Sequence, residues 1–314
     1  MTHTYTGPET SARRASSAKA FSPSKRDPAT LNQSKTSIAA LMSVTNSHQI
    51  QGLKLLDGKV AVIYGAAGGV GTAVAKAFAR EGATVFLAGR TENSLNLIAR
   101  EITRTGGVAD ISKVDALSPE SVEAHLQRIV TKTGKLDISF NLIGTNVEMG
   151  SKLTELSDQR FAEAAFNRVR SYFITMTAAA RLMEKQGNGV ILGLTAPNAR
   201  LPRPNMGGFS AQGAAIEALC RQLAFEVGPR GVRVVCLGTG GTPDNPVLHA
   251  VFTHLAKLRG TTFQAIADSE AQITALKRAP LLPEVANAAV LIASDYASAI
   301  TATTVNASSG ELVD

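Results

Sequence analysis

Two short stretches of this chain carry residue types and spacings that point to chemistry. The first is YGAAGGVG at residues 64–71, with glycines at Gly65, Gly69 and Gly71. That spacing suits a tight turn, a close approach of backbone to a diphosphate, and close contact between a strand and a helix. The start of the helix that follows adds free N–H groups and a partial positive charge. The second stretch is AGRT at 88–91, which places Gly89 and Arg90 at the end of an apolar run. A guanidinium there suits a phosphate ester, and no carboxylate stands beside it to hold a ribose hydroxyl. Together they predict a dinucleotide site that takes NADP(H) in preference to NAD(H). A plain turn and a surface arginine are the bland alternatives. A strand before the glycines and a helix after them favour the functional one.

Such a site needs a particular scaffold, and the hydrophobic pattern supplies it. Short β-branched or apolar runs predict strands at 59–64, 83–88, 108–114, 136–141, 190–195, 232–237 and 302–307. Helical spacing predicts helices at 70–81, 92–105, 118–133, 158–186, 209–228 and 283–294, with a looser helical pattern over 245–277. Strands alternating with helices of this length build a parallel sheet covered on both faces. Right-handed crossovers make it doubly wound, with a ligand crevice at the carboxyl ends of the strands. No composition break follows residue 53. The expectation is one domain over 51–314 with a helical insert at about 243–280.

Composition narrows the classes further. With 314 residues, 44% of them apolar, the chain can bury a substantial core. The net charge is +7, of which +4 falls within residues 1–50, so the remainder is only mildly basic. This argues against a nucleic-acid stripe. No apolar run is long enough to span a membrane. Residues 1–50 are rich in Ser, Thr, Lys and Arg, with no apolar periodicity before about residue 38, and read as a disordered basic tail. An organellar transit peptide and a true start at Met42 remain open beside that reading, and a cytoplasmic location is expected. Cys220 and Cys236 lie in apolar segments and read as buried thiols. His3, His48, His125, His249 and His254 are scattered, and no metal site is expected.

From about Leu53 to the C-terminus these motifs, in this order, resemble the short-chain dehydrogenase/reductase superfamily, of the ketoacyl-reductase kind. The superfamily's TGxxxGxG is matched with Tyr64 in place of Thr. Asp115 matches the position that meets adenine. NLIG at 141–144 stands for the superfamily's NNAG, and PEVA at 283–286 matches a late signature. Asn167 matches the helix asparagine that organises a proton-relay water. The resemblance implies a Rossmann-type, mostly seven-stranded parallel sheet. It implies cofactor contacts at Gly65, Gly69, Val70, Gly71, Arg90, Asp115, Asn141, Gly144 and Gly240. It also implies a homodimer or homotetramer built through the helices at 158–186 and 209–228.

The same resemblance fails at the chemistry. The superfamily's serine falls on Ala196, its tyrosine on Phe209 and its lysine on Gly213, with the spacing intact. A longer, enoyl-reductase-like spacing sets Met206 against Gly213 and restores nothing. The Pro-Gly after the sixth strand becomes Thr239-Gly240. In the superfamily, the tyrosine gives the proton, the lysine lowers its pKa and holds the ribose, and the serine holds the substrate oxygen. Asn167 and Thr195 are the remaining candidates for catalysis. Arg200, Arg203 and Ser210 are the candidates for substrate contact, with Gln212 as a neutral donor and His249 and His254 as the nearby imidazoles. Packing or surface roles compete at each of them.

The expected function is an NADP(H)-dependent oxidoreductase with non-standard proton chemistry, acting on a small molecule with an activated C=C, an imine or a carbonyl. The alternative is a catalytically silent nucleotide-binding protein that serves as a sensor or partner subunit. A non-redox enzyme using the same pocket is a third reading.

Overall fold

The computed structural model describes residues 54–144 and 151–313; the tail expected over residues 1–50 lies outside them. Seven parallel strands form one sheet in the order β3-β2-β1-β4-β5-β6-β7. They are β1 (Val60–Tyr64), β2 (Thr84–Gly89), β3 (Val108–Lys113), β4 (Ile138–Asn141), β5 (Gly189–Thr195), β6 (Val232–Thr239) and β7 (Thr303–Ala307). The order reverses between β1 and β4. That switch point opens a crevice at the strands' carboxyl ends.

Strand alternation divides the core. Ala61 and Ile63 of β1 pack on one face with Val74, Phe78, Leu95, Val285 and Ala289. Val60, Val62 and Tyr64 face the other way, with Leu126, Tyr172, Met176 and Ile216. The first set belongs to α1 (Gly69–Arg80), α2 (Glu92–Arg104) and α8 (Leu282–Ala293), and the second to α3 (Pro119–Thr133), α4 (Asp158–Gln186) and α5 (Gly207–Val227).

Local chemistry sets the helix ends. Ser157 Oγ accepts the Arg160 N–H at 3.2 Å at the start of α4. Gly187, at φ 76°, ends that helix in the left-handed conformation. Ser118 and Gly134 do the same for α3.

Most boundaries shift by one or two residues from expectation, and two differences have a clear local cause. The fourth strand begins at Ile138, not 136, because Asp137 Oδ2 takes the Val60 N–H at 2.7 Å and its side chain does part of the pairing. The insert is two helices, α6 (Pro246–Leu258) and α7 (Phe263–Gln272). Gly260, at φ 61°, stops the first, and the Thr262 hydroxyl caps the second by accepting the Ala265 N–H at 3.1 Å.

Candidate functional site

The glycine loop follows β1 and opens α1. Gly65 lies at φ 75°, and a β-carbon there would stand 2.9 Å from the Leu142 carbonyl carbon. A β-carbon on Gly71 would run into the Gly65 carbonyl oxygen. These two positions therefore require glycine, and the loop takes the form the sequence predicts.

Beside the loop lies a cleft of about 230 Å³. Its lining brings together Gly65, Arg90, Asp115, Gly144 and Asn167 with Tyr64, Gly68, Ile143 and Ser171. Arg90 is exposed and makes no ion pair among the described residues. Asp115 is partly engaged, accepting the Leu117 N–H at 3.0 Å. Asn141 is buried and turned into the fold: its amide donates to Thr175 Oγ1 at 2.9 Å and its carbonyl accepts the Ile143 N–H at 2.9 Å. It shapes the cleft wall instead of lining it.

Two buried, unpartnered groups stand behind this cleft. The Tyr64 hydroxyl has no partner, and burial pushes its phenol pKa up. The His125 ring meets Tyr64 edge-on at 6.2 Å, with neither nitrogen bonded. Burial, with help from Arg128, lowers the His125 pKa to about 4, so the ring is neutral.

Further along the crevice the glycine positions are covered by the chain's own side chains. A β-carbon on Gly69 would lie 2.5 Å from Asn245 Oδ1, and one on Gly240 2.7 Å from Glu311 Oε2. Val70 lies in the first turn of α1, between Gly69 and Gly71.

The corner where β5 meets α5 brings together Ala196, Phe209 and Gly213, the positions to which the resemblance points. A β-carbon on Gly213 would sit 3.0 Å from the Ala199 β-carbon and 3.1 Å from Thr195 Oγ1. Thr195 is buried and turned toward α5, with the Gly213 carbonyl as its acceptor at 3.5 Å. Phe209 is half-buried, and Ala196, the residue after the strand, offers no polar group. Ser210 lies in the first turn of α5, half-buried. Gln212 is fully buried, with neither amide atom bonded.

The loop arginines are committed. Arg200 Nε donates to Glu217 Oε2 at 2.8 Å. Arg203 donates to Glu270 at 2.8 Å and Glu311 at 2.6 Å. Of the imidazoles, His249 stacks on Phe263 at 4.4 Å within the insert, and His254 is exposed.

The residue that sequence reasoning missed is Arg168 on α4. It is 5% exposed, and its guanidinium carbon lies 5.3 Å from the Phe209 ring centroid and 5.8 Å from that of Tyr172. The signal was present: positions 168, 172, 176 and 179 form the buried face of α4, and Arg168 is the one charge on it.

Cys220 and Cys236 are free and buried, as expected, and their mutual hydrogen bond and burial push the Cys236 thiol up. Among the described residues no cluster is suited to a metal, and no helix is long and apolar enough to cross a membrane.

Comparison with known proteins agrees with this fold. The family described as enoyl-(acyl carrier protein) reductase matches residues 65–311. The chain belongs to the short-chain dehydrogenase/reductase superfamily of oxidoreductases. It is 31% identical to the 7alpha-hydroxysteroid dehydrogenase of Escherichia coli (strain K12) over 255 residues, covering 81% of this chain and 94% of that one. It is 33% identical to the 1,6-dihydroxycyclohexa-2,4-diene-1-carboxylate dehydrogenase of Pseudomonas putida, covering 82% and 94%. A solved 7α-hydroxysteroid dehydrogenase complexed with NADH and 7-oxo glycochenodeoxycholic acid superposes with a TM-score of 0.72 at 30% identity, covering 82% of this chain and 96% of that one. Actinorhodin polyketide ketoreductase with NADPH shares the fold, with a TM-score of 0.74 at 22% identity, covering 81% and 97%. Solved neighbours thus carry either nicotinamide cofactor.

Proposed function

We propose that the chain is an NADP(H)-dependent oxidoreductase that works without the phenol–ammonium proton donor of its relatives. The observation that carries this is Arg90, unpaired and exposed on the wall of an open cleft beside a glycine loop of the required shape. The residues fit the adenosine end of the cofactor. Gly65 and Gly68 bring backbone to the diphosphate, Asp115 faces the base, and Arg90 matches a 2′-phosphate. Such a cofactor, once bound, supplies the hydride. At the reacting end Phe209, Ala196 and Gly213 supply no acid, and the hydroxyls beside them are those of Thr195 and Ser210. A substrate that is already polarised suits such a corner: an activated C=C, an imine, or a carbonyl needing little acid help.

The deciding experiment is a titration of the full chain with NADPH and NADH, in parent and Arg90→Ala, followed by a screen of enones, imines and ketones. Expected are tighter binding of NADPH than NADH, a preference lost in Arg90→Ala, and turnover on part of the panel. Equal binding of both cofactors removes the NADP(H) preference.

A second reading, a silent nucleotide-binding protein, draws on Asn245 over Gly69 and Glu311 against Gly240, which close the far end of the crevice. NADPH binding with no turnover across the panel favours it.

A further inference from the structure

The corner where β5 meets α5 holds a buried cation without an anion. Arg168 donates from Nη2 to the Leu194 carbonyl at 3.3 Å, and its buried Nε has no partner. Among the described residues no carboxylate pairs with it; its other neighbours are the Phe209 ring and Tyr172, which it meets through both ring and hydroxyl. The buried carboxylate of α5, Glu217, meets Arg200 at 2.8 Å and Arg221 at 3.5 Å through Oε2, leaves Oε1 unbonded, and makes no ion pair with Arg168. A guanidinium taken out of water with a carbonyl, a phenol and a phenyl ring for company, its Nε unbonded, is costly, and such a group calls for a missing anion.

A second positive feature converges on the same place. The 21-residue helix α5 starts at Gly207 behind Met206, which gives no side-chain cap, and its first turn carries no acidic residue. Its end therefore keeps free N–H groups and the positive end of the helix dipole. Phe209, in that first turn, is the ring that Arg168 faces. Of the other side chains at this corner, Asn198 leaves a buried amide nitrogen unpartnered and Gln212 a whole amide. A side chain at Gly213 would press on Ala199 and Thr195, and the buried cation at this corner stands on α4.

We infer that Arg168 and the uncapped start of α5 form an anion-binding pocket that takes the carboxylate of a small organic acid. The planar fork of arginine matches a carboxylate with two parallel hydrogen bonds, and one guanidinium plus a helix end balances a single negative charge. The inference names the substrate class for the reading above and rests on it for the pocket's place at the reacting end. The anion site itself is tested without cofactor.

The test is isothermal titration calorimetry of the full chain with benzoate and with benzamide, its neutral counterpart, in parent, Arg168→Gln and Arg168→Met. Benzoate is expected to bind the parent at least about tenfold more tightly than benzamide, roughly the worth of one charge-assisted hydrogen bond, with the preference lost in both variants. Equal binding of the two probes by the parent overturns the inference, as does binding of neither. A preference kept in Arg168→Gln overturns it too. Should neither variant fold, the comparison within the parent still decides. NADPH is titrated separately. A parent that binds benzoate and not NADPH defeats the cofactor reading and leaves this site standing; the reverse result does the opposite.

Discussion

Arg203 donates from Nη2 to Glu311 Oε1 at 2.6 Å, joining the loop after β5 to the C-terminal segment. Its Nη1 donates to Glu270 on α7 at 2.8 Å, so one side chain ties three segments together. The pair is not a simple gain. Burial raises the Glu311 pKa, Arg203 pulls it back and Glu270 adds to the rise, leaving it above its ordinary value. A carboxyl whose folded pKa is raised holds more protons folded than unfolded. Its contribution is present in full below the ordinary carboxyl range and is lost as pH rises through the raised value. The Glu311→Gln variant should therefore melt no lower than the parent at pH 7, and the parent should gain on it as pH falls toward 5. Melting curves across that range check this. A variant that melts lower at pH 7 by a margin that does not change with pH would sink the argument.

The closed corner at Gly213 limits what restoring mutations can do. A lysine there must push its β-carbon between Ala199 and Thr195 Oγ1, both near 3 Å from where it would stand. Gly213→Lys should cost about 1–3 kcal/mol by overpacking. Phe209→Tyr is tolerated, since the half-buried ring keeps its volume. Combining both with Ala196→Ser should not restore ketone reduction. Denaturant melts and a ketone assay read the two halves. A restored enzyme of parent stability would show that the corner opens more readily than its packing implies.

Most of the scaffold was legible because it rests on period and punctuation. The helix over 158–186 appears as Asp158–Gln186, between Ser157 and Gly187. Ala196, Phe209 and Gly213 were singled out only by laying the superfamily's spacing over the chain. Arg168 was not, because a single charge on an otherwise apolar helix face is outvoted by its neighbours when the pattern is read as a whole. The commitments of Arg200, Arg203 and Asp137 were also hidden: each depends on a carboxylate or backbone group far away in sequence, and local spacing carries no information about those.

Gly71 tests the loop independently of Arg90. An alanine there collides with the Gly65 carbonyl oxygen, which is backbone and cannot step aside cheaply. Gly71→Ala should weaken NADPH and NADH alike, by tenfold or more, while Arg90→Ala affects NADPH alone. Fluorescence titration of both variants separates the two effects. Unchanged binding in Gly71→Ala would remove the glycine loop from the site.

The outer faces of α4 and α5 point to self-association. Phe166 and Phe173, seven residues apart on α4, are 70% and 54% exposed, and Phe225 on α5 is 78% exposed. Rings of that size on adjacent helices are what the homodimer or homotetramer implied by the resemblance would cover. Sedimentation velocity should show a dimer or tetramer, and Phe173→Asp with Phe225→Asp should shift it to monomer. The exposed sites cost the fold little, about 0.5 kcal/mol each or less. A monomeric parent would dispose of the interface.

His125 should set the acid limit of stability. Its ring is 1% exposed with both nitrogens unbonded, and its pKa falls from 6.5 to about 4, chiefly through burial and then through Arg128, with Asp110 opposing. The unfolded chain takes up the proton near pH 6.5 while the folded chain refuses it. Stability is therefore complete above pH 6.5 and drains as pH falls toward 4, by up to about 3 kcal/mol. His125→Leu removes two unbonded nitrogens and the titration together. It should equal or exceed the parent at pH 7 and lose less on acidification, with the gap opening between pH 6.5 and 4. Urea melts at half-unit intervals measure that gap. Parallel acid limbs in the two proteins would mean that His125 finds a partner when it protonates, and that the drain comes from carboxylates elsewhere.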